Sequence, residues 1–218
     1  PDGNTQSIKL EETSNTGQFF VFSALSSPAA DNYCASIYLK AAENNYAVLQ
    51  IFADNSVRHS ICVDLSSGTI TDTDSTGTPT IASTGIENVG NGWYRAWASV
   101  NHTTGSASMV VAMADGATPS WGSSSIPSYT GTAGNGIYIW GAQLEAGEHP
   151  SSYIPTSGST VTRAGETLEV NATSLPYSAT GMSTVFKAEV DYVDDNELAA
   201  RRIWKWGASA QNITLFLS

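Results

Sequence analysis

Apolar and polar residues alternate with a period of two along most of the first two thirds of the chain. That spacing puts successive side chains on opposite faces of a β-strand. It predicts seven strands, over residues 19–23, 34–41, 46–53, 59–65, 92–100, 107–114 and 136–144. Turn-forming clusters separate them: Glu43-Asn44-Asn45, Asp54-Asn55-Ser56, Ser66-Ser67-Gly68, residues 88–91, Thr103-Thr104-Gly105 and residues 133–135. Two stretches show no period and are expected as loops: the Thr-rich residues 72–83, and residues 115–130 around Trp121. Short strands with almost no helical periodicity predict an all-β protein, an antiparallel β-sandwich of the jelly-roll kind.

The same alternation sorts core from surface. Ala35, Ile37 and Leu39 read as core, with Ser36, Tyr38 and Lys40 on the other face. Ala47, Leu49, Ile51 and Ala53 read as core, leaving Gln50 and Phe52 opposite. Tyr94, Ala96, Ala98 and Val100 separate from Trp93, Arg95, Trp97 and Ser99. In the last strand Tyr138, Trp140 and Leu144 are expected on one buried face. Gln143 and Glu145 fall opposite, where binding sugar hydroxyls, capping a turn and helping to hold calcium are all open readings. Gly90 and Gly92 around Asn91, and Gly134 and Gly136 around Asn135, are expected to supply positive φ in tight turns.

Beyond residue 150 the pattern changes. Residues 151–163 have the Pro, Gly and Ser content of a linker, and strand character restarts over residues 167–171, 182–192, 201–206 and 212–217. The expected organisation is a jelly roll over residues 1–150, a linker over 151–163 and an incomplete second β-sandwich over 164–218. A sandwich normally needs ~100 residues, and Pro1 stands where a Met would begin a chain. Both features predict a piece cut at each end, completed by missing sequence or by strands of a neighbouring chain.

Charge narrows the partners. Nine basic against twenty acidic residues give a net charge of −11. Polyphosphate binding needs clustered cations, and the one basic cluster is Arg201, Arg202 and Lys205. Neither nucleic acid nor membrane insertion is expected, since no apolar run approaches the ~20 residues of a bilayer span. Hydrophobic residues at 41% and charged residues at 13% exclude a disordered chain and a helical bundle. Cys34 and Cys62 are expected as two buried thiols, with a single bridge as the alternative.

Catalytic patterns are missing. His59, His102 and His149 have no triad context, and Asp64, Glu87 and Glu145 match no acid–base pattern, so a non-enzymatic chain is expected. Asp72-Thr-Asp-Ser-Thr-Gly77 opens like an EF-hand loop, but Ser83 stands at the twelfth position and no helices flank it. The acidic group Asp191, Asp194, Asp195 and Glu197 reads as a hairpin tip. No cofactor is expected, with a structural Ca²⁺ left open.

Three runs carry a resemblance: Gly90-Asn-Gly-Trp-Tyr-Arg95, Gly136-Ile-Tyr-Ile-Trp-Gly-Ala-Gln-Leu-Glu145 and Tyr153-Ile-Pro-Thr156. Together with Pro1-Asp-Gly3, Lys9-Leu10, Ser36-Ile-Tyr-Leu-Lys40 and Asp64-Leu65-Ser66, they resemble a module of bacteriophage tail-fibre and tail-spike proteins and of related carbohydrate-binding jelly rolls. The resemblance covers residues 1–163. After Arg163, Thr184-Val-Phe186 and Arg202-Ile-Trp204 are similar to the start of a laminin-G-like or concanavalin-like sandwich. It implies a glycan-facing, non-catalytic part of an extracellular virion fibre or spike. The implied partners are a polysaccharide or cell-surface glycan, and either a homo-oligomer (a trimer) or neighbouring fibre domains. The family's usual first strand, ahead of the Pro-Asp-Gly turn, is absent, which leaves a sheet edge for another segment or protomer.

A sugar site needs an aromatic face for the ring and planar polar groups for the hydroxyls. If their outer faces share one sheet, Tyr38, Gln50, Arg95 and Trp97 form such a platform, with Arg95 reading a carboxylate. The alternative makes Trp93 and Trp97 packing residues. Trp121 and Tyr129, in the Ser-rich loop, are the second candidates, with a cover over the core edge as the alternative. Three functions follow: a host-recognition module, an assembly segment that binds no glycan, or an accessory module of a polysaccharide-degrading enzyme.

Overall fold

The structure, a computed structural model, describes residues 7–25, 28–54 and 56–162, together with the backbone of residues 201–206 and 213–217. The chain divides into two compact units, Pro1–Arg163 and Ala164–Ser218. The first unit contains β1 (Ile8–Glu11), β2 (Thr16–Gly17), β3 (Phe20–Leu25), β4 (Asp31–Ala41), β5 (Tyr46–Ala53) and β6 (Val57–Asp64). It continues with β7 (Thr69–Thr76), β8 (Ile81–Gly90), β9 (Trp93–His102), β10 (Ala107–Met113), β11 (Tyr129–Thr130) and β12 (Gly136–Ala146).

Two five-stranded antiparallel sheets result, ordered β1-β12-β4-β9-β8 and β3-β10-β5-β6-β7, with a small β2-β11 pair beside them. The pairings nest: β5 with β6, β4 with β9, β3 with β10 and β1 with β12. A long hairpin wound over two sheets pairs in this way, which is the jelly-roll arrangement. The inner faces carry the expected alternation. Ala35, Ile37, Leu39, Ala47, Leu49, Ile51, Ala53, Ala96, Ala98 and Val100 are buried together between the sheets.

Of the region expected as a loop over residues 72–83, residues 72–76 are the end of β7 and residues 81–83 the start of β8, which leaves residues 77–80 as the connection. These two strands lie at the edges of their sheets, where solvent on the open side removes the need for apolar alternation. A usable signal was the β-branched Thr69, Thr71 and Thr73 at alternate positions. Glu87, one of the carboxylates without an acid–base pattern, is an exposed residue of β8 opposite Arg95.

A bulge changes the phase of β12. Between Trp140 and Gln143 the register shifts, with Gly141 at φ +61°. Leu144 therefore packs on the core with Ile137 and Ile139, and Trp140 joins Tyr138, Gln143 and Glu145 on the outer face. The single face expected for Tyr138, Trp140 and Leu144 is thus split, because period two cannot register an inserted residue.

The Gly90-Asn91-Gly92 turn has positive φ at all three residues, as expected. Gly134 also adopts positive φ, but Gly136 does not. Gly136 is needed for a different reason: a Cβ there would lie 2.1 Å from the Leu10 carbonyl oxygen.

Cys34 and Cys62 are free and buried. Burial pushes their thiols up to about 12 and about 11, so neither is a thiolate at neutral pH.

In the second unit, β13 (Arg201–Trp206) and β14 (Ile213–Leu217) pair antiparallel, close to two expected strands. The strands expected over residues 167–171 and 182–192, the acidic group at residues 191–197 and the Thr184-Val-Phe186 run lie outside the described residues.

Candidate functional site

Three rows cross the outer face of the first sheet, from β12 through β4 to β9. The register aligns Tyr138, Lys40 and Trp93; then Trp140, Tyr38 and Arg95; then Gln143, Ser36 and Trp97. Alternation on three paired strands therefore brings Tyr38, Arg95 and Trp97 onto one face. The Tyr38 ring sits between the Arg95 guanidinium, 5.2 Å from its centroid, and the Trp140 ring, 5.0 Å away edge-on.

Arg95 is only 6% exposed. Its Nη2 donates to the Ser36 hydroxyl at 3.0 Å and to the Ser151 carbonyl at 2.7 Å. Its Nε and the Trp140 Nε1 are buried without an acceptor. Buried donors without partners are costly, and these two nitrogens are closed off from solvent on either side of the Tyr38 ring.

The segment after β12 turns back over this face. Glu145 accepts from the Ser151 amide at 2.9 Å and the Ser151 hydroxyl at 2.6 Å, and Gln143 Nε2 donates to Glu145 at 2.6 Å. The Ile154 amide donates to the Gln143 Oε1 at 2.8 Å, and the Tyr153 ring lies 4.6 Å from that of Trp140. Residues expected to begin a linker thus pack on the sheet, and Gln143 and Glu145 act as their clamps.

Trp97 has a packing role. It faces Gly85 of β8 directly, and a Cβ at Gly85 would lie 2.0 Å from the indole. The ring covers the bare glycine backbone, and its Nε1 donates to the Ser83 hydroxyl at 3.1 Å. Gly85→Ala is therefore expected to destabilise the protein by about 2 kcal/mol through overpacking. In a Trp97→Ala background the same change should be neutral or stabilising, because alanine suits a strand better than glycine. Urea unfolding of the four proteins measures this coupling, and equal costs in the two backgrounds would refute the packing.

Gln50 does not share this face. It lies on β5 of the other sheet, 2% exposed, and its Nε2 reaches the Ser60 hydroxyl (2.8 Å) and the carbonyls of Ser124 (2.8 Å) and Ser125 (3.1 Å). Its expected grouping with Tyr38, Arg95 and Trp97 is corrected, because strand pairing put β5 and β4 in different sheets. Gln50 pins the Ser-rich loop to the second sheet's outer face. Trp121 does the same from the loop side: it is half-buried on Val48, Cys62, Val110 and Ile126, and its Nε1 donates to Asp72 at 3.0 Å.

Tyr129, also half-buried, meets Phe19 edge-on with centroids 5.3 Å apart. Its hydroxyl donates to Glu12 at 2.6 Å, and burial followed by that carboxylate pushes its pKa far upward. Glu12, 6% exposed, also accepts from the Thr132 amide at 2.7 Å and from the Asn44 side chain. Nothing in the local sequence marks Glu12, since its three donors come from distant segments.

The histidines and carboxylates do not converge. His59 bonds Ser75 at 3.0 Å, and burial holds its imidazole below the usual range. His102 Nδ1 lies 2.9 Å from Asp54, close in distance but not aligned as a hydrogen bond. Asp64 is held by Ser66 and Ser67 at the β6–β7 turn, while Glu145 lies on the other sheet. Among the described residues, no three His, Cys, Asp or Glu side chains form a group able to hold a metal ion. No protein-family model and no curated protein matches the chain.

Proposed function

We propose that the first unit is a non-catalytic glycan-binding module of the kind borne by phage tail fibres and spikes, serving recognition of a cell-surface polysaccharide. The reading is supported by the resemblance of the 90–95, 136–145 and 153–156 runs and by the jelly-roll order of the strands. The observation that carries it is the ring cluster of Tyr38, Trp140 and Tyr153 beside Arg95. Rings offer a stacking surface for the apolar face of a pyranose. Half-buried Tyr38 and Tyr153 are the parts of the cluster a sugar can reach.

Affinity electrophoresis of the full chain through gels containing bacterial or algal polysaccharides tests this, with new reducing ends assayed in the same samples. Retardation by a defined polymer without new ends is the expected result. It should be lost in Tyr153→Ala and kept in Trp121→Ala, whose ring lies on the opposite sheet. Retardation by none of the polymers, or loss in Trp121→Ala alone, overturns the reading. New reducing ends overturn its non-catalytic part.

A further inference from the structure

β3 closes one end of the second sheet, paired to β10 on one side and, among the described residues, to nothing on the other. Edge strands are usually blunted by charge, proline or a bulge. Phe20–Leu25 reads FVFSAL, with no charge, no proline and no register shift against β10. Phe20 and Val21 are 41% exposed and Phe22 70%, the highest among the exposed large hydrophobic side chains of the described residues.

Ladder alternation fixes which backbone groups are free. The Met113 amide donates to the Phe19 carbonyl at 3.1 Å, one step beyond the Ala112–Phe20 pair. Hydrogen-bonded pairs alternate in an antiparallel ladder. Val21, Ser23 and Leu25 therefore turn their N–H and C=O toward β10, and Phe20, Phe22 and Ala24 turn theirs to the open edge. The side chains of these last three share the outer face of the sheet, where the Phe20 and Phe22 rings lie 6.4 Å apart.

We propose that this edge joins a second copy of the chain. The two β3 strands pair antiparallel about a two-fold axis at Phe22, merging two five-stranded sheets into one. The register that uses all three open residues sets Phe22 against Phe22 of the second copy, and Phe20 against Ala24. It gathers four phenylalanines on one face and satisfies every open N–H and C=O of the strand.

Charge selects this occupant. Residues 13–30 contain no charged side chain, although the chain carries −11. A basic or acidic partner finds nothing to pair with here, whereas a second copy brings a neutral apolar edge and no like charges into contact. One six-residue ladder with three exposed apolar side chains buries less than the ~1,200 Å² of a standard stable interface. The dimer is thus weak and dependent on concentration. None of this rests on the glycan reading.

Sedimentation velocity on the full chain, from low to high micromolar, tests it. The mass should rise from the monomer value of 22.9 kDa toward twice that. Phe22→Lys should hold the chain monomeric throughout. Phe22→Pro should do the same, since it deletes an open N–H and no bond to β10. Both should melt as the parent does. Directly opposed residues stand ~5.5 Å apart at Cα, within disulfide reach. Phe22→Cys should therefore cross-link to itself under mild oxidation, and Ala24→Cys, facing Phe20, should not. A monomer at every concentration, a trimer, a dimer that survives Phe22→Lys, or equal cross-linking of the two cysteine variants overturns the proposal.

Discussion

Glu12→Ala is expected to cost about 3 kcal/mol of unfolding free energy, the scale for deleting one partner from a buried charged network. At the usual conversion for a unit of this size, that lowers the melting temperature by roughly 6–12 °C. The carboxylate binds the Tyr129 hydroxyl, the Thr132 amide and the Asn44 side chain. These donors come from the crossover between β10 and β12 and from the β4–β5 turn, so one side chain ties together three segments that meet at one end of the sandwich. Removing it strands all three donors in a site that is 6% exposed. Glu12→Gln keeps the shape and one acceptor oxygen, and should cost about half as much. Adding Tyr129→Phe to Glu12→Ala should recover part of the loss, because one stranded donor disappears. Urea unfolding of the variants decides the matter; a loss below ~1 kcal/mol for Glu12→Ala would mean the cluster is solvated rather than buried.

Gly136→Ala should be nearly as damaging, at about 3 kcal/mol, the upper range for overpacking. The added methyl would stand 2.1 Å from the Leu10 carbonyl oxygen. That atom is backbone, so no rotamer change relieves the clash. Gly136 pairs with Glu11 at the end of the β1–β12 ladder, and the adjacent Glu12 amide bonds the Asn135 carbonyl at 2.8 Å. The strain therefore falls on β1, which has a single neighbour in its sheet. Hydrogen exchange should show loss of protection confined first to β1 and its β12 partners, with β4 and β9 still protected. Uniform loss over the whole first sheet would point to global unfolding instead. Gly134→Ala is the control: it has open space around its Cβ and pays only for its positive φ of +85°.

The sequence by itself determined what is local. Alternation assigned the inward faces of β4, β5 and β9 because a pleated strand repeats every two residues wherever it lies. Gly90-Asn91-Gly92 announced a left-handed turn because such φ values are open to few residues. The resemblance likewise rested on contiguous runs. Apolar alternation missed the edge strands β7 and β8 for the converse reason: strands with an open side need not alternate apolar with polar.

Only the tertiary structure decided what depends on distant pairing. It placed Gln50 in one sheet and Tyr38, Arg95 and Trp97 in the other, a choice made by ladder partners many residues away. The β12 bulge put Leu144 on the face opposite Trp140, because one inserted position shifts the phase of all that follows. Partners far along the chain also decided the roles of Glu12, of Trp97 over Gly85 and of Tyr153 on Trp140. A strand's periodicity is written in its own residues; its neighbours are set by the free energy of the assembled sheets.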